Sequence, residues 1–457
     1  MASAYLLRTP TSNSASRTAI TVSMWIKRSG LGALGTLFHT TTSNSGYLYM
    51  ALNVNDQIDF SLQNTSYTQS APTGFQERKI TNRRLRDTNG WYHIVCTVDT
   101  SLATATDRLK IYINGEQETS WSHETNNTQQ NQALPSLIGS TSYPYNIGRQ
   151  GNNTYFYDGS ISHFHYVDGT AYGASTFGET DTTTGIWKPK TSPSVSYGTN
   201  GYFLKFDNSG NMGLDSSGNS NNFTTSGTII QNKDTPSNVF ATMNPLHFGT
   251  PSIANAPLTD GNNNFSSSEG SGVYPYYYST LGVSKGKYYA EFKFVNVVSA
   301  TAGIGSGIAD QYHGNNAADY SYYNDGRLYN GGSSESTGYS ALSNGDILGC
   351  ALDLDNNKIY FHINGSYQAS GNPATGAGGK SITAAASNGI GFYHFAVGDS
   401  GSTAGTNIQT NFGNGYFGTT AVTSAQNPDD GKGIFEYDVP AGYRALCTES
   451  INAQEYS

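Results

Sequence analysis

The sequence predicts an all-β protein of two antiparallel β-sandwich domains, jelly-roll in type, placed in series and joined by an extended connector. Three observations predict it. Apolar residues recur at a spacing near two rather than 3.6. Turn residues interrupt the chain every 8–12 residues, the rhythm of a sandwich or barrel. One strand-pair pattern occurs in each half of the 457 residues, a length that suits two or three domains. Runs free of Gly, Pro, Asn and Ser clusters are short, so no helix is expected.

The first strand pair begins with WYHIVCTVDT at 91–100. Tyr92, Ile94, Cys96 and Val98 share one face, His93 and Thr97 the other. RLKIYINGEQE follows at 108–118, where Leu109, Ile111 and Ile113 alternate with Lys110 and Tyr112. Asn114-Gly115 predicts a two-residue hairpin, because a type I′ turn needs positive φ at both central residues. The pattern returns at 345–367, GDILGCALDLDNNKIYFHINGSY. Leu348, Cys350, Leu352 and Leu354 share a face, as do Ile359, Phe361 and Ile363, and Asn364-Gly365 forms the second hairpin. The flanks of the two units do not match, so they read as analogous units rather than a repeat.

Between the halves, residues 191–257 hold one clear strand, Tyr202 to Phe206, and then a run of turn chemistry, DNSGNMGLDSSGNSNNF. Pro236 and Pro245 block a helix in the stretch DTPSNVFATMNPL. The expected organisation is a sandwich over 1–190, a connector with short strands over 191–257, and a second sandwich with a C-terminal tail over 258–457.

Composition narrows the function classes. Charged residues are 12% of the chain, against roughly 25% in soluble proteins, while Gly (53) and Tyr (33) are abundant. Tyr, Ser, Gly and Asn also dominate antibody binding loops, where Tyr supplies rigid contact area. With a net charge of −9 and few cations, nucleic acid is not an expected partner. No apolar run approaches the ~18 residues of a membrane span, so membrane insertion is not expected. The opening residues lack a basic region followed by a long apolar run, so no secretory signal is expected and the chain is expected to fold in a cytoplasm. Cys96, Cys350 and Cys447 are distant and odd in number, which argues against a disulfide framework and for small buried hydrophobes.

No catalytic constellation emerges. Gly398-Asp399-Ser400-Gly401 matches the nucleophile sequence of chymotrypsin-like proteases, but Ser402 replaces the next glycine and no segment supplies the base. ATGAGGKS at 374–381 lacks the first glycine and the βαβ setting of a phosphate loop. The nine histidines include no His-Glu-x-x-His. His163 and His165 share a strand without a third ligand. Arg78, Lys79, Arg83, Arg84 and Arg86 crowd one segment and form a candidate patch for an anionic partner, with a solvated strand face as the plainer reading. Tyr274 to Tyr278, Tyr155 to Tyr157 and Tyr320 to Tyr323 are dense aromatic runs that suit either stacking on sugar rings or packing in a core.

Trp25 in TAITVSMWIKRSG (18–30), the Trp-Tyr-His strand, the Asn-Gly hairpin and the late strand after Asp158-Gly159 resemble a laminin-G-like, concanavalin-A-type sandwich. GKYYAEFKF (286–294), GIGSGIAD (303–310), YNDGRLYNGG (323–332), the 345–365 strand pair, NFGNGYF (411–417) and PAGYRAL (440–446) resemble a SPRY domain. This order, with LDSSGNSNNFT and DTPSNVFATMNPL between, looks like virion proteins of tailed, notably marine, bacteriophages: tail fibres, adhesins or surface decorations. The resemblance implies a homo-oligomer on the surface of a phage particle, assembled in the host cytoplasm, with other virion proteins and a host-surface glycan as partners. In the SPRY-like half it points to Tyr320, Tyr322, Tyr323, Asp325 and Arg327 as the ligand-binding set. Laminin-G-like domains often hold Ca²⁺ at one rim, which makes Asp158, with Asp207 in its oxygen-rich loop, the candidate metal residues; no other cofactor is expected. Concanavalin-A-type glucanases use carboxylates two apart, but Glu116 and Glu118 lack a third, and no enzyme activity is expected. The sequence favours a glycan-binding or purely structural protein over a polysaccharide depolymerase and leaves the first two open.

Overall fold

A computed structural model describes residues 4–14, 17–40, 45–66, 76–248, 256–270, 272–308, 310–336, 338–401 and 405–455. It is all-β, with 43% strand and 4% helix. The chain divides into two compact units, Met1–Gln231 and Asn232–Ser457.

The strands of the first unit are β1 (Tyr5–Arg8), β2 (Ala19–Arg28), β3 (Gly35–Thr40), β4 (Ser45–Leu52), β5 (Gln57–Ser66), β6 (Gln76–Arg84), β7 (Trp91–Asp99), β8 (Leu109–Ile113), β9 (Glu116–Gln117), β10 (Trp121–Asn126), β11 (Tyr145–Ile147), β12 (Gly159–Asp168), β13 (Gly178–Thr180), β14 (Trp187–Pro189), β15 (Tyr202–Leu204) and β16 (Thr224–Ser226). An eight-stranded sheet runs β10-β6-β5-β4-β3-β11-β1-β16 and a six-stranded sheet β15-β12-β2-β7-β8-β9. Their inner faces meet in one core. Ile94, Cys96 and Val98 of β7 and Leu109, Ile111 and Ile113 of β8 face Leu48, Met50, Ile58, Phe60 and Leu62 of the other sheet. Each such side chain contributes about 1.5–3 kcal/mol when fully buried. The alternation read along β7 and β8 is therefore the inside–outside alternation of the sandwich. Asn114 and Gly115 take φ of 50° and 87°, and Asn364 and Gly365 φ of 50° and 84°, as the hairpins require.

The outer face of the six-stranded sheet is also covered. Val95 and Val167 lie beneath Phe177, Trp187, Val195 and Tyr197 from the 169–200 segment. For this reason β2 is buried along its whole length.

The second unit contains β17 (Met243–Phe248), β18 (Leu258–Thr259), β19 (Asn264–Ser267), β20 (Tyr276–Ser279), β21 (Lys287–Asn296), β22 (Ala300–Gly305), β23 (Tyr320–Tyr323), β24 (Leu328–Asn330), β25 (Ser333–Glu335), β26 (Ile347–Asp353), β27 (Lys358–Ile363), β28 (Ser366–Tyr367), β29 (Lys380–Ser381), β30 (His394–Asp399) and β31 (Thr406–Asn411). One sheet runs β17-β20-β30-β22-β23-β24-β25, and the other follows β18-β19-β31-β21-β26-β27-β28. Leu348, Cys350, Leu352, Leu354, Ile359 and Phe361 lie in the core between them, with Ile363 packed against it.

The stretch 191–257 carries strands in both units. β15 pairs with β12 and β16 with β1, while β17 pairs with β20. One expectation is overturned. A helix, Thr448–Glu455, ends the described chain. Its apolar content is low, and Ser450 is its one buried residue, so no helical periodicity marks it in the sequence.

Candidate functional site

The outer face of the eight-stranded sheet is polar, whereas that of the six-stranded sheet is apolar and covered. Along β5, Ile58, Phe60 and Leu62 enter the core, so Asp59, Ser61 and Gln63 point outward. Register carries this face across the sheet. Asn146 lies opposite His39, His39 opposite Tyr49, Tyr49 opposite Ser61, Ser61 opposite Arg78, and Arg78 opposite Thr125. At ~4.8 Å between strands this row spans about 24 Å.

One end of the row is sealed. His39 and Asn146 are fully buried. The Arg149 guanidinium lies 3.4 Å above the Tyr5 ring and donates from Nε to Asn146 Oδ1 at 3.1 Å. Gly151 N–H donates to His39 Nδ1 at 3.1 Å. At the other end Asp59 and Ser61 are buried, Tyr49, His123 and Thr125 are half-buried, and the Arg78 side chain keeps a quarter of its surface exposed. Arg78 grips Asp59 with two hydrogen bonds, Nε to Oδ1 at 3.0 Å and Nη2 to Oδ2 at 2.7 Å. Such a bidentate fork fixes both groups. His123 Nε2 meets Thr125 Oγ1 at 3.0 Å. Burial lowers the His123 pKa, and the Arg78 charge lowers it further, so the imidazole is neutral at pH 7.

This end therefore presents donors and acceptors from Arg78, His123 and Thr125 beside the Tyr49 ring, which suits hydroxyl groups attached to an apolar ring face. It does not suit glycoside cleavage. That reaction takes two carboxyl groups across the bond, and Asp59 is the one carboxylate on this face among the described residues. Glu77 points into the sandwich and is fully buried.

A serine–histidine pair on the six-stranded sheet also fails as a catalyst. Ser23 Oγ lies 2.9 Å from His93 Nε2. Trp187 Nε1, which can only donate, bonds His93 Nδ1 at 3.0 Å. Nδ1 is thus the acceptor, Nε2 carries the proton, and the ring cannot take one from Ser23. Both residues are fully buried, and burial holds the His93 pKa down to about 3.

The residues expected from sequence divide sharply. Tyr320 and Tyr322 enter the core of the second unit. The Tyr322 hydroxyl donates to Ser340 O at 2.7 Å, and its ring meets Phe361. Tyr323 faces the other way but is covered by the 306–319 loop, donating to His313 O at 3.1 Å. None of the three is a stacking platform, because strand alternation and a covering loop bury both faces of β23. Asp325 and Arg327 are exposed and bond each other within one turn. Tyr276, Tyr277 and Tyr278 are buried as well, and Tyr155 is exposed.

The basic segment is not a continuous patch. Lys79 is buried, pairing with Glu124 at 3.1 Å, and its ammonium lies 4.7 Å from the Trp121 ring. Arg83 pairs with Glu116 and Glu118, and Arg86 with Asp56. Arg84 is exposed at the strand end. Alternation sends Arg78 to the outer face and Lys79 to the inner one, which dissolves the patch. Asp158 and Asp207 are exposed, and no three His, Cys, Asp or Glu side chains converge on a metal position among the described residues. The Asp207 loop is occupied by turn bonds, with Gly210 N–H donating to Asn208 Oδ1 at 3.0 Å. All three cysteines are free and buried, and burial raises their pKa. Asp399 is buried and accepts from Gly401 N–H at 2.8 Å, while Ser402 lies outside the described residues.

Sequence reasoning missed Tyr49, Asp59, Ser61 and His123. The available signal was QIDFSLQ at 57–63, where a polar residue alternates with each core residue on a strand that must have one face outside.

Residues 3–171 match the model of the concanavalin A-like lectin/glucanases superfamily, and residues 280–380 match that of the SPRY domain. No curated protein sequence matches the chain. Among solved structures, the SPRY domain of human HERC1 is 18% identical, with 37% of this chain and 96% of that one covered and a TM-score of 0.29. The TRIM65 PSpry domain is 13% identical, with 37% and 91% covered and a TM-score of 0.28. A Bacteroides ovatus protein named for carbohydrate binding is 16% identical, with 49% of this chain and 56% of that one covered and a TM-score of 0.29. The chain thus carries a concanavalin A-like domain followed by a SPRY domain.

Proposed function

We propose that this chain is a non-enzymatic glycan-binding protein of a phage particle surface, of the tail-fibre, adhesin or decoration type. The half-buried end of the outer-face row is the binding site: Tyr49, Arg78, His123 and Thr125 reach solvent, and buried Asp59 holds Arg78 in place. The observation that carries this reading is the polar row across one sheet face, with Tyr49, Arg78, His123 and Thr125 reaching solvent, in a domain that matches a lectin and glucanase superfamily. The single carboxylate on that face supports binding without hydrolysis. The phage setting rests on the order of the two domains and the sequence that joins them. The chain is also a candidate homo-oligomer with other virion proteins as neighbours.

The test is binding of the purified chain to a panel of bacterial surface polysaccharides, with host cells as the second ligand. Saturable binding that free polysaccharide competes away, and that Arg78→Ala weakens, is the expected result. Release of reducing ends on incubation would replace this reading with a depolymerase.

A second reading, a purely structural decoration, is favoured by one apolar patch on the second unit. Leu246, Ile308, Ile390 and Phe392 are exposed. Ile390 lies against Gly307 and Ile308 against Gly389, so these two isoleucines adjoin. Concentration-dependent sedimentation that Phe392→Ser abolishes, with no polysaccharide binding, would favour it.

A further inference from the structure

We propose that the first unit binds a small monovalent anion, chloride in ordinary buffers, in a donor-rich cluster between its two sheets formed by Arg8, Tyr166 and Tyr202. The cluster lies on the inner side of the eight-stranded sheet, whereas the glycan strip lies on its outer side.

Register brings these groups together. Arg8 ends β1, and Tyr145 of β11 lies opposite it. Alternation along β1 sends Leu6 and Arg8 inward together. On the facing sheet, Tyr166 of β12 lies opposite Tyr202 of β15. The two pairs meet in the core: the Tyr145 ring lies 5.2 Å from that of Tyr166 and 6.2 Å from that of Tyr202. All three tyrosines are fully buried, and Arg8 is 7% exposed.

Donors outnumber acceptors here. Arg8 Nη2 donates to Asn221 Oδ1, but Nη1, which carries two hydrogens, is buried without an acceptor. The Tyr202 hydroxyl is likewise buried without a partner. Tyr145 accepts from Gly139 N–H at 2.9 Å and donates to the Tyr166 oxygen at 3.4 Å, so the Tyr166 hydrogen has no acceptor among the described residues. A water molecule has two lone pairs and adds two hydrogens of its own, which worsens the shortage of acceptors. An anion only accepts, and one anion can take the Arg8, Tyr166 and Tyr202 hydrogens together.

Charge points the same way. Arg8 forms no ion pair among the described residues. Asp215 acts on it through space, and its carboxylate is already occupied by Phe203 N–H, Ser217 N–H and Oγ, and Asn221 N–H. Asp168 is held by Ser14 Oγ and Asn200 N–H. Burial raises the pKa of Tyr145, Tyr166 and Tyr202, so no tyrosinate forms near neutral pH to supply the missing charge. A buried cation without a counter-charge is costly, and an anion bonded to it makes charge-assisted hydrogen bonds. The three rings enclose the position, which admits a halide and excludes a bulky anion. Occupancy ties β1 to β12 and β15 across the sandwich.

The experiment is thermal unfolding of the full chain at constant sodium concentration, with chloride compared against methanesulfonate, an anion of equal charge and larger size. Chloride should raise the midpoint by about 3–6 °C at ~10 times its Kd. Crystals soaked in sodium bromide should show anomalous density between Arg8 Nη1 and the Tyr202 hydroxyl. Arg8→Gln should abolish both responses. Tyr202→Phe guards against a variant that fails to fold, since it keeps the ring and removes one donor, and it should lose most of the chloride response. Arg78→Ala, on the outer face, should respond to chloride as the parent does whatever its effect on polysaccharide, so the anion site and the glycan strip are tested separately. Equal midpoints in the two salts with water density at the position, or a chloride response that Tyr202→Phe keeps in full, would overturn the proposal.

Discussion

The two units treat an aromatic-rich, charge-poor sequence in opposite ways. In the first, one sheet face stays polar and partly open. In the second, the seven-stranded sheet is covered on both sides. Tyr277, Tyr320 and Tyr322 fill its inner side, and the 306–319 loop closes the outer side over Tyr276, Tyr278 and Tyr323. That loop is clamped by His313, whose Nδ1 meets Ser321 Oγ at 2.8 Å and whose Nε2 meets Ile304 O at 3.1 Å. A tyrosine's presence in a strand thus says little about its exposure. The length and anchoring of the neighbouring loop decide it.

The units differ also in buried titratable groups, and this gives the largest expected effect. In the first unit, burial holds His93 to about 3, His163 to about 4 and His165 well below its ordinary value. In the second, His313, His362 and His394 are held to about 4 by burial. There, however, burial also raises Glu291 and Asp319 to about 7, against the pull of their donors. The folded histidines bind protons only near pH 3–4 while unfolded ones bind them near 6.5, so their stabilisation is lost as pH falls from 6.5 toward 4. Each loses about 2 kcal/mol by pH 5. The two carboxylates act oppositely: the folded forms take up protons near 7, the unfolded forms near 4, so stability rises over the same interval. Burial raises Glu77 and Asp168 in the first unit as well, but less, so hydrogen exchange from pH 7 to 5 should show β7 and β8 losing more protection than β26 and β27. Equal losses would remove this contrast.

Next in size is the difference between a core tyrosine and a face tyrosine. Tyr322→Ala should destabilise the second unit by about 3–5 kcal/mol, by analogy with other large aromatic truncations. Tyr322→Phe should cost about 1–2 kcal/mol, because Ser340 N–H loses its acceptor and Ser340 O its donor. Tyr49→Ala, at a half-buried position, should cost about 1–2 kcal/mol and instead weaken polysaccharide binding. Denaturant unfolding and binding isotherms on the same variants separate the two roles.

The strand pattern of both cores was legible because alternation along 91–98, 109–113 and 348–363 is the physical cause of burial there. The Asn-Gly turns were legible because few residues tolerate positive φ. The glycan strip was half legible: the alternation of QIDFSLQ names a face, but only register shows that Tyr49, Ser61, Arg78 and Thr125 form one row. The burial of Tyr320 to Tyr323 was not legible, since the covering loop depends on His313 meeting Ser321 in space.

Among the basic residues the expected effects are smaller and graded. Arg78→Ala removes the fork on Asp59 from the open strip and should weaken glycan binding about tenfold or more, a loss of ~1.4 kcal/mol. Arg84→Ala, at the exposed strand end, should change binding less than twofold. If Arg84 mattered as much as Arg78, the ligand would be anionic and would read charge rather than the strip.

The smallest effect belongs to Asp325 and Arg327. They face solvent within one turn, neutralise each other, and the Arg327 guanidinium lies 5.1 Å from the Tyr329 ring. An exposed pair of this kind is worth about 0–1 kcal/mol, because water already solvates both ions and holding the side chains in place costs entropy. Arg327→Ala should therefore leave stability within ~0.5 kcal/mol of the parent and glycan binding unchanged. A clear loss of binding in that variant would move the site to the second unit. It would also mean that the self-paired turn opens when ligand arrives, since the arginine must leave Asp325 to reach it.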